Sequence, residues 1–228
     1  MKKVLVWDLP TRIFHWLLVA AVAGAYFTGE NGGNWLVWHE RLGILIIGLI
    51  AFRLTWGFAG STYARFTTFV RGPAAIKAYL TGQWRGLGHN PLGALSVLGL
   101  LALVALQFST GLFAQNDDTG ITGPFYAMVS ESLGSLATRL HHKIFDVLAA
   151  LIGLHVVAIV YYTHVKKDNL IKPMLTGQKD VSEGESARGG GLIALVFALI
   201  IAFAASYAAS GAWVEKPPAP PPATTPAW

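Results

Sequence analysis

Five long apolar segments, separated by shorter polar stretches, dominate the pattern of the chain. They lie near residues 13–28, 36–58, 91–113, 138–164 and 192–214. Each is close to the roughly 20 residues that a helix needs to cross a bilayer. The pattern therefore predicts an all-α integral membrane protein in which a bundle of four helices is followed by a fifth, C-terminal transmembrane helix.

The composition is typical of a membrane protein and excludes several cysteine-dependent cofactors. Hydrophobic residues make up 54% of the chain and charged residues only 13%, about half the charged fraction of a soluble domain. The chain has no cysteine. This excludes disulfides, thiolate-held iron–sulfur clusters and covalent attachment of a c-type haem.

Basic residues alternate between the loops and predict an orientation. Lysine and arginine precede the first segment and fill the loops between segments two and three and between segments four and five. In the third loop Asp117, Asp118 and Glu131 outnumber Arg139. The positive-inside rule then predicts a cytoplasmic N-terminus and a C-terminus on the opposite side of the membrane. The net charge of +5 suits membrane lipid, and no nucleic acid is expected as a partner.

Four histidines near the ends of the apolar segments fall at two depths in this topology. His141 and His155 are 14 residues apart on one predicted helix, which corresponds to about 1400° of rotation and roughly 21 Å of rise. They therefore face one side at two levels. His15 enters the first helix from the cytoplasmic side, and His39 enters the second from the opposite side. The topology pairs His15 with His155 and His39 with His141.

Ionisable side chains inside a bilayer are costly and usually functional. Two imidazoles on facing helices at one depth suit a bis-histidine haem, which helical bundles hold in their core. A di-iron site would need inward glutamates, and the spans carry little carboxylate beyond Glu40 and Asp146. Zinc or copper would gather its ligands around one point. A proton relay through the histidines remains open. His142 and His164 are interpreted as interfacial residues.

Three further residues are candidates for supporting such a site. Arg53 lies 14 residues after His39, on nearly the same helix face and roughly 21 Å deeper, where its guanidinium could pair with a propionate or simply snorkel. Gly43 lies one turn from His39, where a missing side chain would admit a porphyrin or pack two helices. His89 precedes the third helix and is interpreted as a helix-entry or propionate contact, not an axial ligand.

Long strings around these residues carry a family resemblance. They are VWDLPTRIFHWLLV, WHERLGILIIGLIAFRLTWGF, ARFTTFVRGPAAIKAYLTG, GHNPLGALSVLGLL and LHHKIFDVLAALIGLHVVAIVYYTHVKKDNLIKPMLTG. They resemble the bacterial cytochrome b561 proteins, which include the b-type cytochrome subunits of nickel–iron hydrogenases. The resemblance implies a four-helix core with two non-covalent b-type haems, held by His15 with His155 and by His39 with His141. It also favours His141 over His142.

The resemblance covers roughly residues 6–180, and the predicted organisation follows from it. A di-haem membrane domain is expected over residues 1–180, followed by a cytoplasmic linker over 181–191. The fifth helix, 192–214, and a proline-rich extracytoplasmic tail, 215–228, lie outside the core that the resemblance implies.

The resemblance implies a protein of the bacterial inner membrane with a periplasmic C-terminus. The function it implies is transmembrane electron transfer between the quinone pool and a periplasmic redox partner, such as a c-type cytochrome or a hydrogenase-like enzyme. Asp117 and Asp118 could help to dock that partner. Segment 65–81 is predicted to lie on the inner leaflet, or to border a quinone pocket or a partner. Two alternatives are a stand-alone quinone-linked oxidoreductase, acting on superoxide or quinol, and a non-redox transporter or haem-handling channel. A homodimer is left open.

Overall fold

The computed structural model describes residues 2–116 and 118–214. In chain order the elements are β1 (Lys2–Leu5), α1 (Leu9–Asn31), α2 (Leu36–Ala59), α3 (Phe66–Phe69), α4 (Pro73–Leu80), α5 (Pro91–Gly111), α6 (Glu131–His164), α7 (Ile171–Thr176), β2 (Gln178–Val181) and α8 (Gly191–Ala209). Helices α1, α2, α5, α6 and α8 are long and apolar enough to cross a membrane. The five predicted spans are confirmed, while the proline-rich tail and Asp117 lie outside the described residues.

Polar residues set where several of these helices begin. The side chain of Asp8 accepts a hydrogen bond from the Thr11 backbone nitrogen at 2.7 Å, and Asn90 accepts one from Gly93 at 2.7 Å. A proline follows each cap in the first turn, where its fixed backbone angle suits a helix. α6 begins at Glu131, before the predicted boundary at 138. Its first turns are polar, so the apolar pattern did not include them, and Ser130 caps the helix.

The helices pack in pairs and leave a gap between two of the pairs. α1 packs along α2, and α5 packs along α6. The backbone of α6 approaches that of α1 and α2 less closely, but Leu148 of α6 is buried in one cluster with Ala21 of α1 and Ile46 of α2. Tyr26 of α1 and Phe145 of α6 are one bridge across the gap, with ring centroids 5.2 Å apart. Side chains therefore fill the middle of the bundle, and a cavity remains beside them that is lined by residues of α1, α2, α5 and α6.

The fifth helix is packed into the bundle along the outer side of α2. Ala198 of α8 is fully buried in a cluster with Phe14, Phe52 and Trp56. Farther along, the Ser206 hydroxyl donates to the Ile44 carbonyl oxygen at 3.2 Å. A side chain at Gly48 would collide with that same serine. Small residues on both helices thus bring the two backbones close together.

One end of the bundle, here called the basic end, is formed by residues 2–8, 60–90 and 165–190. β1 pairs antiparallel with β2, with Lys2 opposite Val181 and Leu5 opposite Gln178. The Tyr63 hydroxyl donates to the Glu185 carbonyl oxygen at 2.7 Å. The all-α prediction did not foresee these two short strands, because their pairing joins segments that are far apart in the sequence.

Candidate functional sites

His39 and His141 face each other near the end of the bundle opposite the basic end. Their ring centroids are 6.0 Å apart, and the two ring planes are inclined at 81°. Both residues line a cavity of about 260 Å³, here called the His39 cavity, between α1, α2, α5 and α6. The separation leaves room for one metal atom bonded at about 2 Å to a nitrogen of each ring.

Backbone carbonyls orient both imidazoles in the same way. Nδ1 of His39 lies 2.7 Å from the Ala25 carbonyl oxygen, and Nδ1 of His141 lies 2.9 Å from that of Gln107. A carbonyl oxygen can only accept, so each Nδ1 must carry the proton and donate it. Each Nε2 is then left with a lone pair. A carbonyl that accepts the proton of one ring nitrogen is typical of histidines that bind a metal through the other nitrogen.

A glycine on a neighbouring helix makes space for each of these rings. A Cβ added at Gly29 of α1 would lie 2.9 Å from Nδ1 of His39, and one at Gly111 of α5 would lie 2.9 Å from Cε1 of His141. Distances below 3.0 Å force a displacement. The two imidazoles therefore rest against glycine backbone, a requirement that the sequence alone did not reveal.

Gly43, for which the sequence predicted either a porphyrin-facing or a helix-packing role, lies at the His39 cavity. It belongs to the cavity lining, and a Cβ added there would meet no described atom within 4 Å. The backbone of α2 therefore borders open space at this position.

Gln107 is a polar residue of the His39 cavity that sequence reasoning missed. Its side-chain nitrogen lies 3.1 Å from Nε2 of His141, so the amide donates to the lone pair of that ring. Its Oε1 is buried and has no partner among the described residues. An amide at the end of the apolar run of α5, in its last turns, was the available signal, because polar groups at membrane depth are costly.

The rim of the His39 cavity carries carboxylates and a second histidine. Glu30, Glu40 and His142 all belong to the lining. The His142 ring is exposed, with its centroid 6.3 Å from that of His141. Within the described part of the chain, no hydrogen bond orients the His142 ring, in contrast to His141.

His15 and His155 belong to a second group, the His15 cluster, which also contains His89 and Arg53. Burial, together with the nearby charges of Arg53, His155 and His15, lowers the pKa of His89 to about 3. These three side chains therefore lie within electrostatic range of His89, although the four residues come from α1, α2, α6 and the residues before α5. The cluster lies toward the basic end.

His89 is held by aromatic rings on two sides. Its ring centroid lies 4.6 Å from that of Trp7 and 4.6 Å from that of Phe69. Its Nδ1 is buried and finds no hydrogen-bond partner among the described residues. This nitrogen is therefore available to a group that the chain does not itself supply.

Arg53 is a buried cation in the same cluster, only 3% exposed. Its guanidinium carbon lies 4.7 Å from the ring centre of Phe66, and its Nη1 has no hydrogen-bond partner among the described residues. The nearby Asp8 carboxylate is committed to other donors, the Thr11 backbone nitrogen and, at 3.1 Å, the Trp56 indole. A buried donor without a partner is costly, so this position fits an incoming anion.

The residues present fit an iron porphyrin at both places. The described residues contain no group of three or more histidine, cysteine, aspartate or glutamate side chains that could hold a bare metal ion. Two facing imidazoles are sufficient when a porphyrin supplies the other ligands. At the His15 cluster, the buried, unpartnered atoms are Nδ1 of His15, Nδ1 of His89 and Nη1 of Arg53. These suit an axial ligand and the propionates of such a group.

Comparisons with known proteins agree with this chemistry. The family model described as prokaryotic cytochrome b561 matches residues 6–177, from the residue before Trp7 to the glycine that ends α7. It leaves α8 outside the match. No solved structure matches the chain at a significant level.

Two curated relatives carry related names. The "Probable Ni/Fe-hydrogenase 1 B-type cytochrome subunit" of Escherichia coli (strain K12) is 24% identical over 157 residues, covering 54% of this chain and 66% of the relative. The "Probable Ni/Fe-hydrogenase B-type cytochrome subunit" of Azotobacter vinelandii is 26% identical over 225 residues, covering 76% of this chain and 87% of the relative. The chain thus spans just under two thirds of the first relative and most of the second.

Proposed function

The chain belongs to the prokaryotic cytochrome b561 family, and we propose that it carries electrons across a membrane by way of two b-type haems. His39 and His141 would hold one haem, and His15 and His155 the other. The observation that carries the proposal is the His39–His141 pair, in which both rings are oriented by carbonyls and have a lone pair on Nε2.

At the His39 cavity, the chain positions the ligands before any group arrives. The Ala25 and Gln107 carbonyls fix the tautomer and the plane of each ring, and the Gln107 amide occupies Nε2 of His141 until it is displaced. Gly43 leaves the space into which a macrocycle would extend. These features support coordination at this depth.

At the His15 cluster, the chain supplies charge and polar contacts. The Arg53 guanidinium would pair with a propionate, and His89 would donate to a propionate from between its two aromatic neighbours. Phe66 covers one face of the guanidinium, which excludes water from it. Arg12 lies one turn from His15, and its Nε is also buried without a partner in the described part of the chain.

The two sites lie at different depths because His141 and His155 share α6. Their spacing corresponds to roughly 21 Å along the helix axis, a large part of a hydrocarbon core about 30 Å thick. When bound, each haem would supply one-electron redox chemistry, and the two histidines of its pair would hold it. The protein's part is to fix both groups in an apolar bundle, at a set separation.

We propose further that the basic end faces the cytoplasm, because the lysine- and arginine-rich loops gather there. A redox protein on the other side, such as a hydrogenase-like enzyme or a c-type cytochrome, would then exchange electrons at the His39 cavity. The names of the relatives support the first of these partners. The quinone pool would be the exchange partner within the membrane.

Transfer across the bilayer can be tested in sealed liposomes that contain the purified protein, with ferricyanide trapped inside and dithionite added outside. We expect reduction of the trapped ferricyanide only when haem is bound, and loss of most of this rate in His39→Ala and His15→Ala. His164→Ala, at the end of α6, is the matched control and should keep the rate. Equal rates with and without haem would contradict the proposal.

An activity assay on the purified protein without partners distinguishes an electron-transfer subunit from a stand-alone enzyme. We expect slow turnover of quinol or superoxide until a redox partner is added. Rapid, haem-dependent turnover of either substrate by the isolated chain would replace the proposal with the oxidoreductase alternative.

A further inference from the structure

We propose that α8 holds the α5–α6 loop over the His39 cavity and so controls access to the cavity from that end of the bundle. The α5–α6 loop is here residues 112–116 and 118–130. Gly211 and Trp213, just beyond the end of α8, are the positioning residues. α8 lies outside the residues that the family model matches, so this role adds to the shared core. Only the haem measurements below rest on the proposed function.

The α5–α6 loop forms one wall of the His39 cavity, at the end of the bundle opposite the basic end. Residues 114–116 and 121–124 of the loop line the cavity. A backbone hydrogen bond joins the two stretches, because the Gly123 nitrogen donates to the Ala114 carbonyl oxygen at 2.8 Å. The loop is therefore a hydrogen-bonded turn that covers the cavity.

The loop also rests on the backbone that packs against the ring of His141. A Cβ added at Gly123 would collide with the Gly111 carbonyl oxygen. The Phe125 nitrogen donates to the carbonyl oxygen of Leu112, the next residue, at 2.9 Å. Gly111 is the residue whose missing side chain makes room for the His141 ring. A displacement of the loop would therefore disturb the support of this imidazole.

Two contacts hold the loop against the first turns of α6. The Gln115 backbone nitrogen donates to the Thr138 hydroxyl at 3.0 Å, one turn before His141. A Cβ added at Gly134 would collide with the Tyr126 ring, so the loop lies directly on the backbone of α6. The loop is thus attached to both helices that it connects.

The residues beyond α8 attach the loop from a third side. The Trp213 and Phe125 rings have centroids 6.0 Å apart. The Trp213 indole nitrogen donates to the Ala208 carbonyl oxygen at 2.8 Å, which fixes this ring on the last turns of α8. Gly211 has a φ of 65°, which suits glycine. A Cβ added there would lie 3.1 Å from the Cβ of Pro124.

α8 can act as a fixed support because it is packed on the helix that carries His39. The Ser206 hydroxyl donates to the Ile44 carbonyl oxygen of α2 at 3.2 Å, and Ala198 is fully buried. The loop is therefore connected to α2 through α8, in addition to its direct contacts with α5 and α6. Entry through this end of the cavity requires the loop to separate from Trp213.

Hydrogen–deuterium exchange of the full-length, haem-free protein tests the role of α8 in holding the loop. In Trp213→Ala, loop peptides that contain Gly123 and Phe125 should exchange about twofold to tenfold faster, because one aromatic pair no longer opposes local opening. Trp213→Phe keeps a ring at this position and should restore most of the protection. Phe203→Ala, which removes an exposed ring of α8, is the matched control and should leave loop exchange unchanged.

Haem release gives a second readout, in which each site serves as a control for the other. In His15→Ala, which should retain the haem of the His39 cavity, adding Trp213→Ala should speed haem transfer to excess apomyoglobin by a similar factor. In His39→Ala, which should retain the other haem, adding Trp213→Ala should leave the transfer rate unchanged. A merely structural role of Trp213 would speed release from both sites.

A covalent bridge tests the contact in the opposite direction. The Cβ separation of 3.1 Å between positions 211 and 124 is close to the roughly 3.5–4.5 Å found in disulfides. The chain has no cysteine, so oxidation of Pro124→Cys/Gly211→Cys can join only these two thiols. The oxidised variant should show slower loop exchange and slower haem release than its reduced form, and a reductant should reverse both.

The outcomes separate this inference from the proposed function. Unchanged loop exchange in Trp213→Ala, or equally faster exchange in all five long helices, would overturn the inference. Two thiols that fail to join under oxidation would also overturn it, because Gly211 would then not lie against Pro124. Protein that binds no haem would overturn the proposed function, whereas the exchange measurements on the haem-free protein would still decide the inference.

Discussion

The two candidate sites differ in whether the chain itself supplies hydrogen-bond partners for the nitrogen atoms of their histidines and arginine. At the His39 cavity, backbone carbonyls take both Nδ1 protons and an amide occupies Nε2 of His141. At the His15 cluster, one nitrogen each of His15, His89 and Arg53 is buried without a described partner. The imidazoles of the His39 cavity are therefore oriented before a ligand binds, whereas the His15 cluster has buried nitrogen atoms that an anion could satisfy.

This difference predicts that ligand binding changes the stability of the protein by different amounts at the two sites. Preorganised ligands lose little freedom on binding, so the His39 cavity should bind through geometry. Buried polar groups without partners destabilise the empty protein by about 1–3 kcal/mol each. Binding at the His15 cluster should therefore stabilise the fold more than binding at the His39 cavity, and the two sites should respond to different mutations.

The largest effect on haem retention is expected for Gly111→Ala, because the added methyl group would displace the ring of His141. In Gly111→Ala, the added Cβ would come within 2.9 Å of the His141 ring. Overpacking costs about 1–3 kcal/mol, which corresponds to roughly tenfold to a hundredfold weaker retention of one haem. The haem-to-protein ratio after dilution measures this. Loss of the haem that depends on His15 instead would contradict the assignment, and Gly153→Ala, at an open position on α6, is the control.

Arg53→Met should act on the other site with opposite effects on the empty and loaded forms. Removing a buried, unpartnered guanidinium should leave the empty protein as stable as before or stabilise it by about 1 kcal/mol. Haem retention at the His15 cluster should fall. Thermal unfolding of the empty protein, together with haem content, measures both effects. A less stable empty variant would show that Arg53 is already satisfied by the chain.

His89 should make the stability of the empty protein depend on pH. The pKa of His89 falls from its ordinary 6.5 to about 3 in the folded protein, chiefly through burial. Between these values the unfolded chain binds the proton and the folded chain does not. Stability should therefore fall as the pH drops below 6.5, by up to about 1.4 kcal/mol per pH unit. Unfolding midpoints at pH 7 and pH 5 measure this, and His89→Gln should flatten the difference whereas His164→Gln should not.

The smallest effect on haem retention is expected for Gly43→Ala, which should act differently on the empty and the haem-loaded protein. Alanine should stabilise the empty α2 by up to about 1 kcal/mol, because its Cβ meets no described atom. If a macrocycle fills that space, Gly43→Ala should weaken retention of the haem that depends on His39 by a few fold. Unchanged retention would show that Gly43 faces elsewhere in the loaded protein.

Features that depend on local pattern could be predicted from the sequence. The length of the apolar segments predicted the five helices, and the spacing of His141 and His155 on one helix predicted two depths. Features that depend on neighbours could not. The glycines that make room for His39 and His141 have no local signature, and the packing of α8 depends on Gly48 and Ser206 meeting across the bundle.

Haem content in paired histidine variants tests the central claim most directly. The account predicts that His39→Ala/His141→Ala keeps one haem per chain, as each single variant does, because both changes empty the same site. It predicts that His39→Ala/His15→Ala keeps none, with His142→Ala keeping both as the control. A same-pair double variant that loses both haems, or a cross-pair variant that keeps one, would contradict the assignment of the two sites.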